Sequence, residues 1–245
     1  MHRAELMKLH PWLARRDSAM IVSADLEGLL CAALLHHHLG WTLAGLDDGV
    51  HSWIDPAIGV DDVVGVHLTA PRYLPGISRH GEASPANLNP NWVDDLGRRL
   101  GNFPFSTPLF LLWLHDLPVR RELTARLLLL SVGDTWQSSK ADPDRVARWL
   151  KELPGYDWEW LLAKIGTNTL ERRLQDQLLT PLKRLLALDR KDRLDSIRVN
   201  PDWDSDVIMN YFAFVGTWLK WSPPALPALE PVEWERGSTF NDPAP

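Results

Sequence analysis

The segment from Ala19 to Gly40 constrains the fold more than any other part of the sequence. It opens with the apolar run Ala-Met-Ile-Val-Ser-Ala, which is typical of a buried strand. From Leu29 onward, apolar residues recur every three or four positions, which predicts a helix with one apolar face that ends at Gly40. A buried strand that leads almost directly into a helix is typical of α/β folds with a parallel sheet.

Two further strands are predicted at Trp41–Leu46 and Val63–Thr69. The segment Pro71–Pro108 is rich in Gly, Pro, Asn and Ser and predicts a long functional loop or lid. Helices are predicted at Thr107–His115, Arg120–Val132, Asp144–Glu152, Trp158–Ile165 and Leu170–Leu188, and Val207–Lys220 fits either a helix or a strand. The chain therefore divides into an α/β core (1–140), a helical region (141–222) and a proline-rich tail (223–245) that is not expected to fold alone.

Composition narrows the class of protein. The net charge of −6 argues against nucleic-acid binding through bulk positive charge, although it does not exclude binding through a local basic patch. The one cysteine, Cys31, excludes an intramolecular disulfide and fits a reducing compartment. The longest apolar runs are far shorter than the ~20 residues of a membrane span, and the first residues lack the pattern of a signal peptide. We therefore expect a cytoplasmic protein without a membrane partner.

The junction after the first strand carries two carboxylates, Asp25 and Glu27. At the carboxyl end of a parallel strand, they can point into the crevice where α/β sheets bind ligands. Mg²⁺ and Mn²⁺ prefer oxygen ligands, and the N-terminus of the following helix favours phosphate. A purely structural interpretation is equally open, with Asp25 as the N-cap and Glu27 as a favourable charge in the first helical turn.

The run Asp25-Leu26-Glu27-Gly28-Leu29-Leu30-Cys31-Ala32 resembles the Asp-x-Asp-Gly-x-x-Ser/Ala motif that opens the DHH phosphoesterase superfamily. That family includes single-strand exonucleases, oligoribonucleases and pyrophosphatases. A second segment, Leu127–Thr135, is similar to the helix-then-Asp-Thr element that supplies a late metal ligand, here Asp134. The resemblance covers roughly residues 18–140, and it implies a DHH-like parallel-sheet core followed by a mostly helical C-terminal region.

The resemblance also implies a site. Mn²⁺ or Mg²⁺ would be held by Asp25, Glu27, Asp47, His67 and Asp134, and the catalytic residues would be Asp25, Glu27, His80 and Asp134. The chain departs from the family where Glu27 replaces an aspartate and where the third strand runs into His67. The Asp-His-His signature is absent, and its nearest counterpart is Ser78-Arg79-His80-Gly81-Glu82.

Four residues of the long loop, Arg79, Asn87, Asn89 and Asn91, offer donors for phosphate or another polar substrate, although Asn-Pro-Asn is equally ordinary turn chemistry. The leading hypothesis is a metal-dependent phosphoesterase, active or impaired, that acts on a nucleotide or single-stranded nucleic acid. The alternative is a non-catalytic binding or assembly protein on the same fold that docks a protein partner, or a second copy, through its tryptophan-rich helical half. Those tryptophans are Trp149, Trp158, Trp160, Trp203, Trp218 and Trp221, and a role as core filler is also open.

The consecutive histidines His36, His37 and His38 do not predict a metal site. Neighbouring helical residues point about 100° apart, so three in a row do not converge on one ion. The helical pattern places His37 on the apolar face and the other two outside it. We expect them to be ordinary, hydrogen-bonded histidines.

Overall fold

The computed structural model describes residues 3–59, 62–68, 74–78, 84, 86–92, 103–133, 135–153, 175–187, 197–202 and 204–232. These residues form a seven-stranded, mostly parallel sheet with helices packed on it, followed by a helical C-terminal region. The predicted α/β fold class is confirmed.

The strands are β1 Ala19–Ser23, β2 Thr42–Asp47, β3 Ser52–Ile54, β4 Val63–Val66, β5 Gly76–Ile77, β6 Asn87–Leu88 and β7 Glu230–Val232. Their order across the sheet is β6-β5-β4-β1-β2-β3-β7. From β6 to β2 all neighbours are parallel, whereas β3 and β7 are added antiparallel at one edge. The chain therefore builds outward from β1, first to one side with β2 and β3 and then to the other with β4 to β6, before β7 returns to the first side and pairs with β3.

This order places a topological switch point between β1 and β4. The chain leaves β1 for β2 on one side and later returns to β4 on the other, with Ala19 opposite Val63 and Val22 opposite Val66. Connections on either side of such a point diverge and leave a crevice beyond the carboxyl ends of the two strands. In this chain, the residues that follow β1 and β4 form the rim of that crevice.

Helical elements account for most of the rest of the described chain. They are α1 Arg3–Leu9, α2 Leu26–Leu39, α3 Thr107–Leu114, α4 Leu123–Ser131, α5 Thr135–Ala141, α6 Pro143–Glu152, α7 Thr180–Leu185 and α8 Ser205–Leu219. Short 3₁₀ turns occur at Pro11–Ala14 and Pro90–Trp92, and a π-helical turn at Gln175–Leu179 precedes α7.

Helix α2 lies at the centre of the molecule. Every residue from Leu26 to Leu35 is buried, so the helix is enclosed on all sides and does not present the single apolar face that the sequence predicted. The sheet, α3 and α8 surround it, and Gly40 ends it in the left-handed conformation at φ 75°. At its first turn, a Cβ on Gly28 would lie 2.1 Å from the carbonyl oxygen of Ser23, so only glycine allows this approach to β1.

One apolar core joins the sheet to the C-terminal helices. The Tyr211 hydroxyl of α8 donates to the carbonyl oxygen of Leu26 in α2 at 3.1 Å, deep within this core. Trp149 and Trp221 belong to the same core and are almost fully buried. For these two tryptophans, the structure favours core filling over a role at the surface.

Several elements differ from the sequence predictions. The predicted loop Pro71–Pro108 contains the two-residue strands β5 and β6, and the segment predicted as a proline-rich tail contributes β7 to the sheet. The ambiguous segment Val207–Lys220 is helical, as α8. The predicted helix Trp158–Ile165 lies outside the described residues, as does part of the predicted helix Leu170–Leu188. Within the described part of the chain, we find no helix with the length and apolarity that crossing a bilayer demands.

The histidines at the end of α2 are arranged differently from the prediction. His37 is exposed and accepts a hydrogen bond from the Ser222 amide at 3.1 Å, whereas His38 is half-buried against Trp221. The Nε2 atoms of His38 and of His115, which follows α3, are both buried without a hydrogen-bond partner. Burial lowers the pKa of His38 to about 4, with a smaller effect of His37. Burial, together with the charge of His38, lowers the pKa of His115 to about 4 as well.

These histidines predict an acid-sensitive fold. Between pH 6.5 and about 4 the unfolded chain protonates both imidazoles while the folded chain keeps them neutral, so stability should fall as the pH falls through this window. Thermal unfolding midpoints measured from pH 7.5 to 4.5 should therefore decline less steeply in the variant His38→Gln/His115→Gln. His51→Gln is the control, since this side chain is 65% exposed. Parallel profiles for the wild type and the double variant would contradict the assignment.

Candidate functional site

Three predicted site residues meet at the switch point. Asp25 follows β1, Glu27 lies in the first turn of α2, and His67 follows β4. The Nε2 atom of His67 is 3.9 Å from Oδ2 of Asp25, and its Nδ1 atom is 3.5 Å from Oε1 of Glu27. All three side chains are at most 9% exposed. The structure therefore brings together three residues of the predicted set.

Asp25 caps helix α2. Its Oδ1 atom accepts a hydrogen bond from the Gly28 amide at 2.7 Å. This is the N-cap role that the structural interpretation of the sequence assigns to Asp25. Its Oδ2 atom lies 3.4 Å from Nη1 of Arg198, a residue whose backbone also forms an isolated antiparallel bridge with Asp25. Both carboxylate oxygens thus have partners within the chain.

Glu27 lies in helix α2 but caps helix α3. Its Oε1 atom accepts a hydrogen bond from the amide of Thr107, the first residue of α3, at 2.6 Å. On the other side, a Cβ at Gly133 would lie only 2.4 Å from Oε2 of Glu27. A negative charge at a helix N-terminus is stabilised by the unpaired amides and the helix dipole. The Glu27 carboxylate therefore joins α2 to α3 and packs tightly against residue 133.

His67 is held by an unusual backbone conformation and by a hydrogen bond. Its φ of 59° is in the left-handed region, which residues other than glycine seldom adopt and which is often found at functional sites. Its Nδ1 atom is 2.7 Å from the Thr107 hydroxyl. Thr107 therefore bonds to Glu27 through its amide and to His67 through its side chain, so the N-terminus of α3 organises this corner of the site.

Tyr211 lies beneath the two carboxylates. Complete burial raises the pKa of its phenol well above the usual value, and the negative charges of the Asp25 and Glu27 carboxylates raise it further. The phenol thus stays protonated and keeps donating to Leu26. Nothing local in the sequence marked Tyr211 as a neighbour of the site.

Asp47, predicted as a metal ligand, is used in the β2–β3 turn. Its Oδ1 atom accepts from the Gly49 amide at 2.8 Å, and its Oδ2 atom accepts from the Ser52 hydroxyl. Asp47 sits beside Ser23 in the sheet register, at the end of β2. The structure therefore places it on the neighbouring strand and assigns its carboxylate to a hairpin.

The predicted substrate-binding asparagines also have structural partners. Asn89 accepts from the Asn91 amide at 2.9 Å, and Asn91 accepts from the Phe103 amide; both residues are buried. Asn87 is half-buried in β6. The hydrogen bond between Asn89 and Asn91 is the kind of turn contact that the sequence predicts as the alternative to substrate binding.

Arg79, His80 and Asp134 lie outside the described residues. The residues on either side of Asp134 are described, and both lie at the site. Gly133 lies against Glu27, and the Thr135 hydroxyl accepts a hydrogen bond from the Ser106 amide at 2.7 Å.

The DHH resemblance implies Mn²⁺ or Mg²⁺ at this site, and carboxylate oxygens suit both ions. Asp25, Glu27 and His67 lie close together, but neither they nor any other His, Cys, Asp and Glu side chains of the described residues form a group of three that could hold a metal ion. Asp25 and Glu27 also accept hydrogen bonds from helix N-termini, and Arg198 lies on Asp25. The described residues therefore do not fit a divalent ion in this arrangement.

No family model, no curated protein and no solved structure matches this chain. The resemblance of the segment from Asp25 to Ala32 to the opening DHH motif is one of sequence pattern.

Replacing Glu27 should destabilise the fold. Glu27→Ala leaves the buried Thr107 amide without its acceptor and creates a cavity, at a cost of about 2–4 kcal/mol. Glu27→Gln keeps an acceptor and should cost about half as much, since it loses only the charge at the helix N-terminus. Urea unfolding measures both values. Glu122→Ala is the control, because its ion pair with Arg120 is exposed and its loss should change little. Equal stability of Glu27→Ala and the wild type would contradict the capping role.

A matched pair of glycines tests the crowding at Glu27. Gly133 and Gly49 both have left-handed backbones, with φ of 73° and 91°, but only Gly133 faces Glu27; around Gly49 the space is open. Gly49→Ala should therefore cost about 1 kcal/mol of backbone strain. Gly133→Ala should cost roughly 2 kcal/mol more, because its Cβ overlaps Oε2 of Glu27. Similar losses of unfolding free energy in the two variants would show that residue 133 does not pack tightly against Glu27.

Proposed function

We propose that this chain is a non-catalytic binding or assembly protein built on a DHH-like core. In this proposal, the acidic residues of the motif hold the fold together and do not serve a metal-dependent reaction. The resemblance of the Asp25–Gly28 motif supports the DHH-like assignment, and the parallel sheet that places this motif at the switch point is consistent with it. The loss of the Asp-His-His signature supports the absence of catalysis.

One observation carries the proposal: each motif carboxylate already accepts a hydrogen bond from a helix N-terminus. Asp25 accepts from α2 and Glu27 from α3. Turning either oxygen toward a metal ion would leave a buried amide without a partner, at a cost of about 1–3 kcal/mol for each amide. Two-metal hydrolysis also needs carboxylates that hold two ions about 3.5–4 Å apart. The described carboxylates have structural roles that compete with that task.

The exposed part of the tryptophan-rich half supports docking of a protein partner. In the described part of the chain, Trp149 and Trp221 are buried, but the neighbouring rings of Phe214 and Trp218 on α8, tilted by 52° to each other, are only partly buried. Partly exposed aromatic side chains are enriched where proteins bind one another. Light scattering on the purified chain separates self-assembly from binding to another protein.

A hydrolysis assay tests the proposal. Purified chain with Mn²⁺ should cleave a single-stranded oligonucleotide or a dinucleotide no faster than the variant Asp25→Asn, and excess EDTA should change neither rate. Circular dichroism and urea unfolding confirm that the variant is folded, and Asp47→Asn is a second variant outside the paired carboxylates. Turnover that disappears both in EDTA and in Asp25→Asn would overturn the proposal.

A second candidate is the active form: a metal-dependent phosphoesterase acting on a nucleotide or single-stranded nucleic acid. It is favoured by the position of Gly133 and Thr135, which flank Asp134 and both lie at the site. It is also favoured by Ser23, whose hydroxyl is buried near Gly28 without a hydrogen-bond partner. Mn²⁺ or Mg²⁺ would supply the electrostatic stabilisation of such a reaction. EDTA-sensitive turnover in the assay above would establish this candidate.

A further inference from the structure

We propose that Arg198 is a built-in counter-cation for Asp25, and that its guanidinium keeps divalent cations out of the switch-point site. The inference rests on the proposed function, since it names the feature that takes the place of a metal ion. It assigns a role to a residue far from the motif in the sequence.

The backbone fixes Arg198 over the site. The Val199 amide donates to the carbonyl oxygen of Ala24 at 2.9 Å, and residues 25 and 198 form an antiparallel bridge. The Val199 side chain is buried in the core at 2% exposure. Because side chains alternate along extended backbone, anchoring Val199 inward leaves Arg198 beside the Asp25 carboxylate.

The same segment is tied down at its other end. Asp202 accepts a hydrogen bond from the Trp53 indole of β3 at 3.3 Å, and the Asn200 side chain accepts from the Asp202 amide at 2.9 Å. Residues 197–202 therefore form a strap across the carboxyl edge of the sheet, from β1 to β3. A strap held at two points keeps the guanidinium in place at a low cost in conformational entropy.

The charges explain why the guanidinium matters. The Asp25 side chain is 9% exposed, so water screens its charge poorly, whereas Arg198 is 53% exposed and stays well solvated. A buried carboxylate needs a compensating partner, and arginine keeps its positive charge at any pH at which proteins fold. One such partner lies 3.4 Å from Oδ2 of Asp25. The pair thus neutralises Asp25 without an external ion.

A divalent cation would compete for the same position. Mg²⁺ binds carboxylate oxygens at about 2.0–2.1 Å. On the Arg198 side of Oδ2, such an ion would lie within van der Waals contact of the guanidinium, which is 3.4 Å from that oxygen. Two cations at so short a separation repel each other. Binding of the ion on this side of Asp25 therefore requires displacement of Arg198.

Calorimetric titration of the full chain with Mn²⁺ alone tests the inference. Arg198→Met removes the charge but keeps an apolar stem, and it should bind Mn²⁺ at least tenfold more tightly than the wild type. Arg198→Lys keeps a positive charge and should behave like the wild type. Asp25→Asn/Arg198→Met should lose the gain, since it lacks the carboxylate that Arg198 had balanced.

Arg145→Met is the matched control. Arg145 also lies beside an N-cap carboxylate, that of Asp142, with its Nε atom 3.7 Å from Oδ2. A gain in Mn²⁺ affinity in this variant would show that loss of any arginine–aspartate pair suffices, and would overturn the assignment to the switch point. Equal affinities of the wild type and Arg198→Met would overturn it as well.

The failures of the two proposals are distinguishable. EDTA-sensitive hydrolysis by the wild type contradicts the non-catalytic function and also the role of Arg198, because a metal ion would then act at the site with Arg198 in place. Absence of hydrolysis together with unchanged Mn²⁺ binding in Arg198→Met contradicts only the role of Arg198. If Arg198→Met does not fold, Arg198→Gln replaces it, since its amide is neutral and still polar.

Discussion

A single buried carboxylate, that of Glu27, connects the two helices on which the site is built. It sits in the first turn of α2 and accepts the hydrogen bond of the first amide of α3. Thr107, which donates that bond, also holds the His67 ring through its hydroxyl. The end of β4, the start of α3 and the start of α2 are therefore mutually positioned through one acidic side chain. The low dielectric around it makes these contacts strong when they are satisfied and costly when they are not.

Much of the fold could be predicted because its signals are local. The β1–α2 junction shows a strand-like apolar run, an N-cap aspartate and a glycine at the helix end, and all three are present in the structure. The strands β5 and β6 could not be predicted from local pattern, since two residues are too few to show an alternation. They form because β4 offers an unpaired parallel edge that a passing chain can extend.

The same distinction between local and long-range contacts applies to the candidate site. The cap at Asp25 depends on residues within one helical turn and could be anticipated. The bonds from Glu27 to Thr107 and from Asp25 to Arg198 join segments that only the fold brings together, and neither sequence pattern nor composition marks them. A motif of acidic residues at a helix start therefore predicts where charge will be buried. It does not predict which partner, metal ion or protein group, will balance that charge.

The antiparallel addition of β7 to β3 has a consequence for how the chain is made. Ser52 pairs with Val232, so one margin of the sheet is completed by residues that the ribosome supplies long after β3. Until then β3 carries unpaired amides and carbonyls that can recruit strands from other nascent chains. Pairings of such long sequence separation also slow folding. This edge of the sheet is therefore protected only after the residues of β7 have been synthesised.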